Sequence, residues 1–195
     1  GKQAYDRVVY EPPMVAPREE VTITLIEGWT LREIGQHLVD KQLVTAKDFF
    51  DFVGVPAATS KPKFVHSSLA DTYPYLKEIP TGVSLEGYLF PDTYRVYKDE
   101  GVELIVSRLL ANFDAKISEQ MRADIKDQHK TLYEIITMGS IVEREVRTDD
   151  DRAKVADVLW GRLRVGMPLQ VDSSVNYITK KTTAAISHDD SRVDS

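Results

Sequence analysis

The stretch Val21-Thr22-Ile23-Thr24-Leu25-Ile26-Glu27-Gly28-Trp29-Thr30-Leu31-Arg32-Glu33-Ile34 changes its period halfway along. Its first six residues are rich in β-branched side chains and alternate in the manner of a half-buried strand. Glu27-Gly28 ends that run. Thr30 then stands where a helix N-cap belongs, with Glu33 three residues on as the reciprocal partner of a capping box. Leu31, Ile34, Leu38 and Val39 follow at the i, i+3, i+7, i+8 spacing of one buried helix face. Beyond Leu43-Val44, Thr45 caps a second helix holding Phe49, Phe50 and Val53, which Gly54 and Pro56 close. Residues 21–56 thus form a compact strand-helix-helix unit.

On the N-terminal side, residues 1–20 read as an extended lead-in, because Pro12, Pro13 and Pro17 forbid a regular helix. On the other side, residues 57–84 form a connector in which Leu69 to Leu76 has room for one or two helical turns. Ser84 to Tyr94 carries three aromatic rings punctuated by Gly87 and Pro91, which suits an ordered loop or short strand. Val102 to Phe113 is helical, with Leu104, Ile105, Leu109 and Phe113 as its stripe. Thr131 starts another helix with Glu134 as capping-box partner. A further helix runs from about Asp150 to Arg164 with Val155, Val158, Leu159 and Leu163 facing inward, and Gly166 and Pro168 stop it. Leu169 to Tyr177 is extended or a short helix, and residues 181–195 are polar and unpatterned. The expected fold class is α+β, mostly helical after residue 100, with the larger domain over residues 85–195.

The 195 residues suffice to bury a core, and 42% hydrophobic against 29% charged residues is a globular composition. A formal charge of −6, from 25 basic and 31 acidic residues, argues against nucleic acid as a partner. The absence of cysteine removes disulfides, thiolate zinc sites and cysteine nucleophiles together. His37, His66, His129 and His188 have no metal-ligand spacing, so no metal and no cofactor are expected. No run reaches the roughly 20 apolar residues that span a bilayer. Gly1 stands in place of an initiating Met, which implies an excised fragment whose anchor or export signal lies elsewhere.

The helix starting at Thr131 holds the carboxylate with the most unusual setting. At about 100° per residue, Leu132, Ile135, Ile136, Gly139 and Val146 fall within about 60° of one direction, and Glu143 falls in the middle of that arc. Glu145 projects to the opposite side, near Glu134. Gly139, one turn before Glu143, leaves space above the carboxylate. A carboxylate on an apolar face is costly, and a carboxyl so placed keeps its proton near neutrality, the condition a general acid needs. The residues alone leave three readings open: an ion pair with an arginine such as Arg162, a wheel wrong by one residue, or catalysis. Tyr88, Phe90 and Tyr94 could stack on sugar rings or plug the core. Gln170, Asp172 and Asn176 beside Pro168 could bind a hydroxylated ligand or build a turn.

Four segments in order resemble one family: Ile26-Glu27-Gly28-Trp29-Thr30-Leu31; Leu85-Glu86-Gly87-Tyr88-Leu89-Phe90-Pro91-Asp92-Thr93-Tyr94; Ser140-Ile141-Val142-Glu143-Arg144-Glu145; and Arg162-Leu163 with Gly166-Met167-Pro168-Leu169-Gln170-Val171-Asp172-Ser173-Ser174-Val175-Asn176-Tyr177. The chain is similar to the YceG-like endolytic murein transglycosylases from about Val21 to Tyr177. The resemblance implies a lyase that cuts the β-1,4 bond between N-acetylmuramic acid and N-acetylglucosamine in peptidoglycan strands and leaves a 1,6-anhydro end. It places the catalytic glutamate at Glu143 and likens residues 21–56 to a LysM-like module that contacts glycan. Glu86, Tyr88, Gln170, Asp172 and Asn176 become candidate substrate contacts. The partners implied are peptidoglycan glycan strands and cell-wall synthases. The implied location is the inner membrane, with a single-pass anchor and the catalytic domain on its outer face. A non-catalytic glycan-binding or scaffolding module is the alternative from another class, and a hydrolase pairing Glu143 with Asp172 is a third reading. The family continues past the equivalent of Ser195 with a Tyr-Asn-Thr-Tyr stretch and a Gly-Leu-Pro-Pro-Gly-Pro-Ile-like stretch. Neither occurs here, so the expectation for this fragment is an incomplete site with weak or no activity. Asp172-Ser173 stands where many relatives have Asp-Pro.

Overall fold

A computed structural model describes residues 17–55 and 69–171. Strand β1 (Glu20–Thr24) runs into helix α1 (Leu31–Asp40) and helix α2 (Ala46–Val53). The connector holds a 3-10 helix (Pro74–Glu78), and after it come strand β2 (Thr93–Tyr97) and four helices: α3 (Val102–Lys116), α4 (Glu119–Asp127), α5 (Leu132–Glu145) and α6 (Asp149–Arg164). The fold is α+β and mostly helical after residue 100. Among the described residues no helix is long and apolar enough to cross a membrane.

The opening stretch folds as its period change dictates. The capping box at Thr30 is complete, since its hydroxyl accepts from Glu33 N–H while the Glu33 carboxylate accepts from Thr30 N–H at 2.7 Å. Leu31, Ile34 and Leu38 are buried. Between them Gly35 lets α2 approach: a Cβ there would lie 2.8 Å from the Phe49 ring. Thr45 caps α2 by accepting from Asp48 N–H, and Gly54 at φ 84° ends it.

β1 pairs antiparallel with β2, Val21 opposite Val96 and Ile23 opposite Tyr94. The two-stranded sheet therefore joins residues on either side of the connector, giving a β-α-α-β order with a long insertion before the last strand. A two-stranded ribbon needs another layer to be stable. It receives one, because Ile23 and Val96 point into a continuous core with Leu31, Leu38, Phe49, Leu85, Ile105 and Leu109, which reaches as far as Leu132.

Three expected inward residues face solvent instead. Leu104 is exposed on α3, where Ile105, Val106, Leu109, Leu110 and Phe113 make the buried stripe. Val158 and Leu163 are exposed on α6, where Leu159 alone is buried. On α6 the covered seam is narrow and apolar residues off it stay outside; on α3 the buried face is broad, and Leu104 projects away from its centre. Helix α4, absent from the periodicity, buries no residue and starts at Ser118, whose hydroxyl accepts from Met121 N–H.

Candidate active site

Helix α5 carries Ser140-Ile141-Val142-Glu143. Its start is determined locally: Thr131 and Glu134 form the expected capping box, with Glu134 Oε2 accepting from Thr131 N–H at 2.8 Å. That pairing holds the Glu134 carboxyl below its usual range. Its end comes at Val146, whose backbone is extended.

The helix spans two apolar clusters. Leu132 lies in the main core, and Tyr133 and Ile136 pack against it. Met138 and Val142 instead meet Leu159 of α6, joined by Ile141, Val146, Val155, Ala156, Trp160, Leu169 and Val171. Lys130 sits 4.5 Å over the Trp160 ring and pins α6 near the start of α5. The buried direction therefore turns partway along the helix. Glu143 extends the Leu132–Ile136 direction beyond the edge of the main core, and Val142, about 100° round, takes the contact with α6.

Glu143 is consequently exposed, which corrects the expectation of burial drawn from the helical wheel. The wheel averaged one direction over the whole helix, whereas the packing partner changes along it. Glu145 is exposed, as expected. Gly139 is exposed too, and a Cβ built on it would meet nothing within 4 Å. The face one turn before the carboxylate is thus open. The ion-pair reading fares poorly: Arg162 donates to the Leu169 carbonyl at 2.6 Å and toward Gln170 Oε1 at 3.4 Å. Among the described residues none holds the Glu143 carboxylate.

The other candidates fall in different places. Glu86 Oε1 accepts from Leu31 N–H at 3.0 Å, at the first turn of α1. Tyr88 is 1% exposed, stacked on Tyr75 with ring centroids 5.9 Å apart and tilted against Phe113 at 5.2 Å. Burial pushes its hydroxyl well above the usual range. This is the core-plug arrangement rather than a surface for sugar. Phe90 and Tyr94 are half-buried, and the Tyr94 hydroxyl donates to the Phe90 carbonyl at 2.6 Å. Gln170 is exposed at φ 55°, and its neighbours Leu169 and Val171 pack on the same cluster as Val142. The structure thus brings the Gln170 segment beside the Glu143 end of α5, and leaves Glu86 and Tyr88 with the main core. Asp172 and Asn176 lie outside the described residues. One residue escaped the sequence reading: Glu78, whose Oε2 accepts from Leu132 N–H at 2.7 Å at the start of α5. No local signal marks it, because its partner is 54 residues away.

Comparison with known proteins adds the following. The profile of the YceG-like family matches residues 3–195. The endolytic murein transglycosylase of Streptococcus pneumoniae serotype 2 (strain D39 / NCTC 7466) is 32% identical over 178 residues, covering 88% of this chain and 32% of that protein. The endolytic murein transglycosylase of Bacillus subtilis (strain 168) is 29% identical over 180 residues, covering 89% and 48% respectively. A solved YceG-like structure from Listeria monocytogenes superposes with a TM-score of 0.71 at 28% identity, over 89% of this chain and 57% of that one. The chain spans between about a third and a half of the length of the curated relatives it matches.

Proposed function

The chain belongs to the YceG-like family, and from that membership we propose that it is part of an endolytic lytic transglycosylase of peptidoglycan, with Glu143 as its single acid and base. The observation that carries the reading is that no described residue holds the Glu143 carboxylate and that the helix face one turn before it, at Gly139, is open. A carboxylate already committed to a guanidinium could neither give nor take a proton; this one is available to a ligand.

Glycosidases that use water need two carboxylates. A lytic transglycosylase needs one. The protonated Glu143 donates to the glycosidic oxygen as the bond from C1 of the muramic acid to that oxygen breaks and positive charge develops at C1. The ionised carboxylate then takes the proton of that sugar's own 6-hydroxyl while its oxygen bonds to C1, which closes the 1,6-anhydro ring and restores the acid. Water is not consumed. Because Glu143 faces solvent in the free chain, the low-dielectric setting a general acid needs comes from the saccharide lying across the Gly139 face. Gln170, Asp172 and Asn176 would orient the sugar, and Glu86 would be a further sugar contact. Tyr88 supports its loop from within the core.

Residues 21–56 serve as the LysM-like glycan-contacting part and residues 85–195 as the cutting part, with 57–84 between them. This division is one of roles, since packing makes one core of both. The full-length protein is membrane-anchored, its catalytic domain faces the cell wall, and it works beside cell-wall synthases. A non-catalytic glycan-binding module remains the rival, favoured by the exposure of Glu143.

Mass analysis of products from purified glycan strands separates the readings. Anhydro ends are expected; reducing ends would mean a hydrolase and intact strands a binder. In the full-length protein Glu143→Gln keeps the shape but has no proton to deliver, so strand binding should persist while anhydro release falls at least 100-fold, the usual scale of general acid–base catalysis. Near-normal release by that variant overturns the assignment.

A further inference from the structure

The N-termini of α1 and α5 are built alike. Each begins with a Thr-x-x-Glu capping box, Thr30 with Glu33 and Thr131 with Glu134. Such a box satisfies the amides of the cap and of the third helical residue but leaves the first helical N–H without a partner inside the helix. In both helices that amide is taken by a carboxylate from far along the chain. Leu31 N–H goes to Glu86 at 3.0 Å, and Leu132 N–H goes to Glu78 at 2.7 Å. The two acceptors are eight positions apart on one segment, which runs from the 3-10 helix into the loop before β2. The same segment touches α5 a second time. Gly87, at φ 84°, lies so close that a Cβ on it would stand 2.7 Å from Ile136 Cγ2. Ile136 and Glu143 share a helix face two turns apart, about 10 Å along the axis.

We propose that residues 78–87 form a clamp that registers α5 against α1, and that Glu78 is a positioning residue for Glu143. The proposal rests on the catalytic reading of Glu143. Glu78 sets the height of α5 through its first amide, and Gly87 against Ile136 sets its rotation. A charged acceptor on a helix N-terminal amide is a strong directional tie. Two ties on an eight-residue span leave the two helices little freedom to slide. The carboxylate two turns on from Ile136 thereby holds its place relative to the glycan-contacting unit, and misplacement of about 1 Å in a reacting group can cost on the order of 100-fold in rate.

Two readouts test this. The chain has no cysteine, so spin labels on Lys41→Cys, at the end of α1, and Thr137→Cys, on the exposed side of α5, report the distance between the helices without any activity. The expected result is a narrow distribution in the parent, a broadened or split one in Glu78→Ala, and recovery in Glu78→Gln, which keeps an acceptor oxygen. Gly87→Ala should shift the distribution through a separate contact. A distribution as narrow as the parent's in Glu78→Ala, or an unshifted one in Gly87→Ala should the first variant not fold, overturns the clamp. In the full-length protein Glu78→Ala should lower kcat by about 10- to 100-fold with KM within about twofold, and Glu78→Gln should restore most of it. Parental kcat in Glu78→Ala, with Glu143→Gln inactive alongside it, overturns the positioning role. Parental turnover by Glu143→Gln would instead overturn the catalytic assignment, while the distance result would still judge the clamp.

Discussion

Glu100 shows how a single buried charge is tolerated here. Its side chain is 3% exposed at the turn between β2 and α3. It accepts from Arg108 Nε at 2.8 Å and from Tyr97 N–H at 2.9 Å. Burial alone would push its carboxyl up; the guanidinium and the amide outweigh that and hold it below the ordinary 4.5. A carboxyl depressed in the folded state contributes stability that is whole above its unfolded value and is lost as pH falls through its folded one. Urea unfolding measured from pH 6 down to pH 3 should therefore show a decline beginning near 4.5. Glu100→Gln should flatten that decline and cost about 2 kcal/mol at neutral pH, the scale of a charged hydrogen bond. An unaltered pH dependence in that variant would mean that Glu100 is not the group responsible. Glu143 is the contrast at the same scale: an acid with no described partner, left where a ligand can reach it.

At the scale of elements, the helices that could be read from sequence are those whose ends are signalled locally. Thr30, Thr45 and Thr131 all cap where the sequence places them. Thr131→Ala removes the acceptor of the Glu134 amide and half of the box, and should cost about 1 kcal/mol. Hydrogen exchange should locate the loss in the first turn of α5, and a variant with unchanged protection there would show that Glu78 alone carries that end. Helix α4 was illegible because it buries nothing and so leaves no stripe to find. On α6 the apolar pattern was wider than the seam that covers it, so Val158 and Leu163 were expected inside and lie outside.

At the scale of the whole molecule, the described residues form one main core and a smaller cluster around α5 and α6. Phe49 is fully buried and wedged against Gly35. Phe49→Ala should cost about 3–5 kcal/mol and shift the thermal midpoint of the entire chain. Leu159 belongs to the smaller cluster with Met138 and Val142. Leu159→Ala should loosen α6 and the second half of α5, raising their hydrogen exchange while β1, α1 and α3 keep theirs. Equal loss of protection everywhere would mean that the two clusters unfold as a single unit. The division also bears on the proposed role of Glu143, which stands at the junction between the main core and the smaller cluster.

The sequence by itself determined the strand, the capped helices, the α+β class and, through four ordered motifs, the family. These are short-range or motif-borne properties: a cap reads three residues, a stripe reads two turns. Only the tertiary structure decided that β2 closes on β1 across the connector, that Glu78 and Glu86 tie two helices together, and that Glu143 is exposed. Each of those depends on which surface meets which over tens of residues. A helical wheel gives the direction of a side chain, but whether that direction ends in core or in water is set by where the neighbouring element stops.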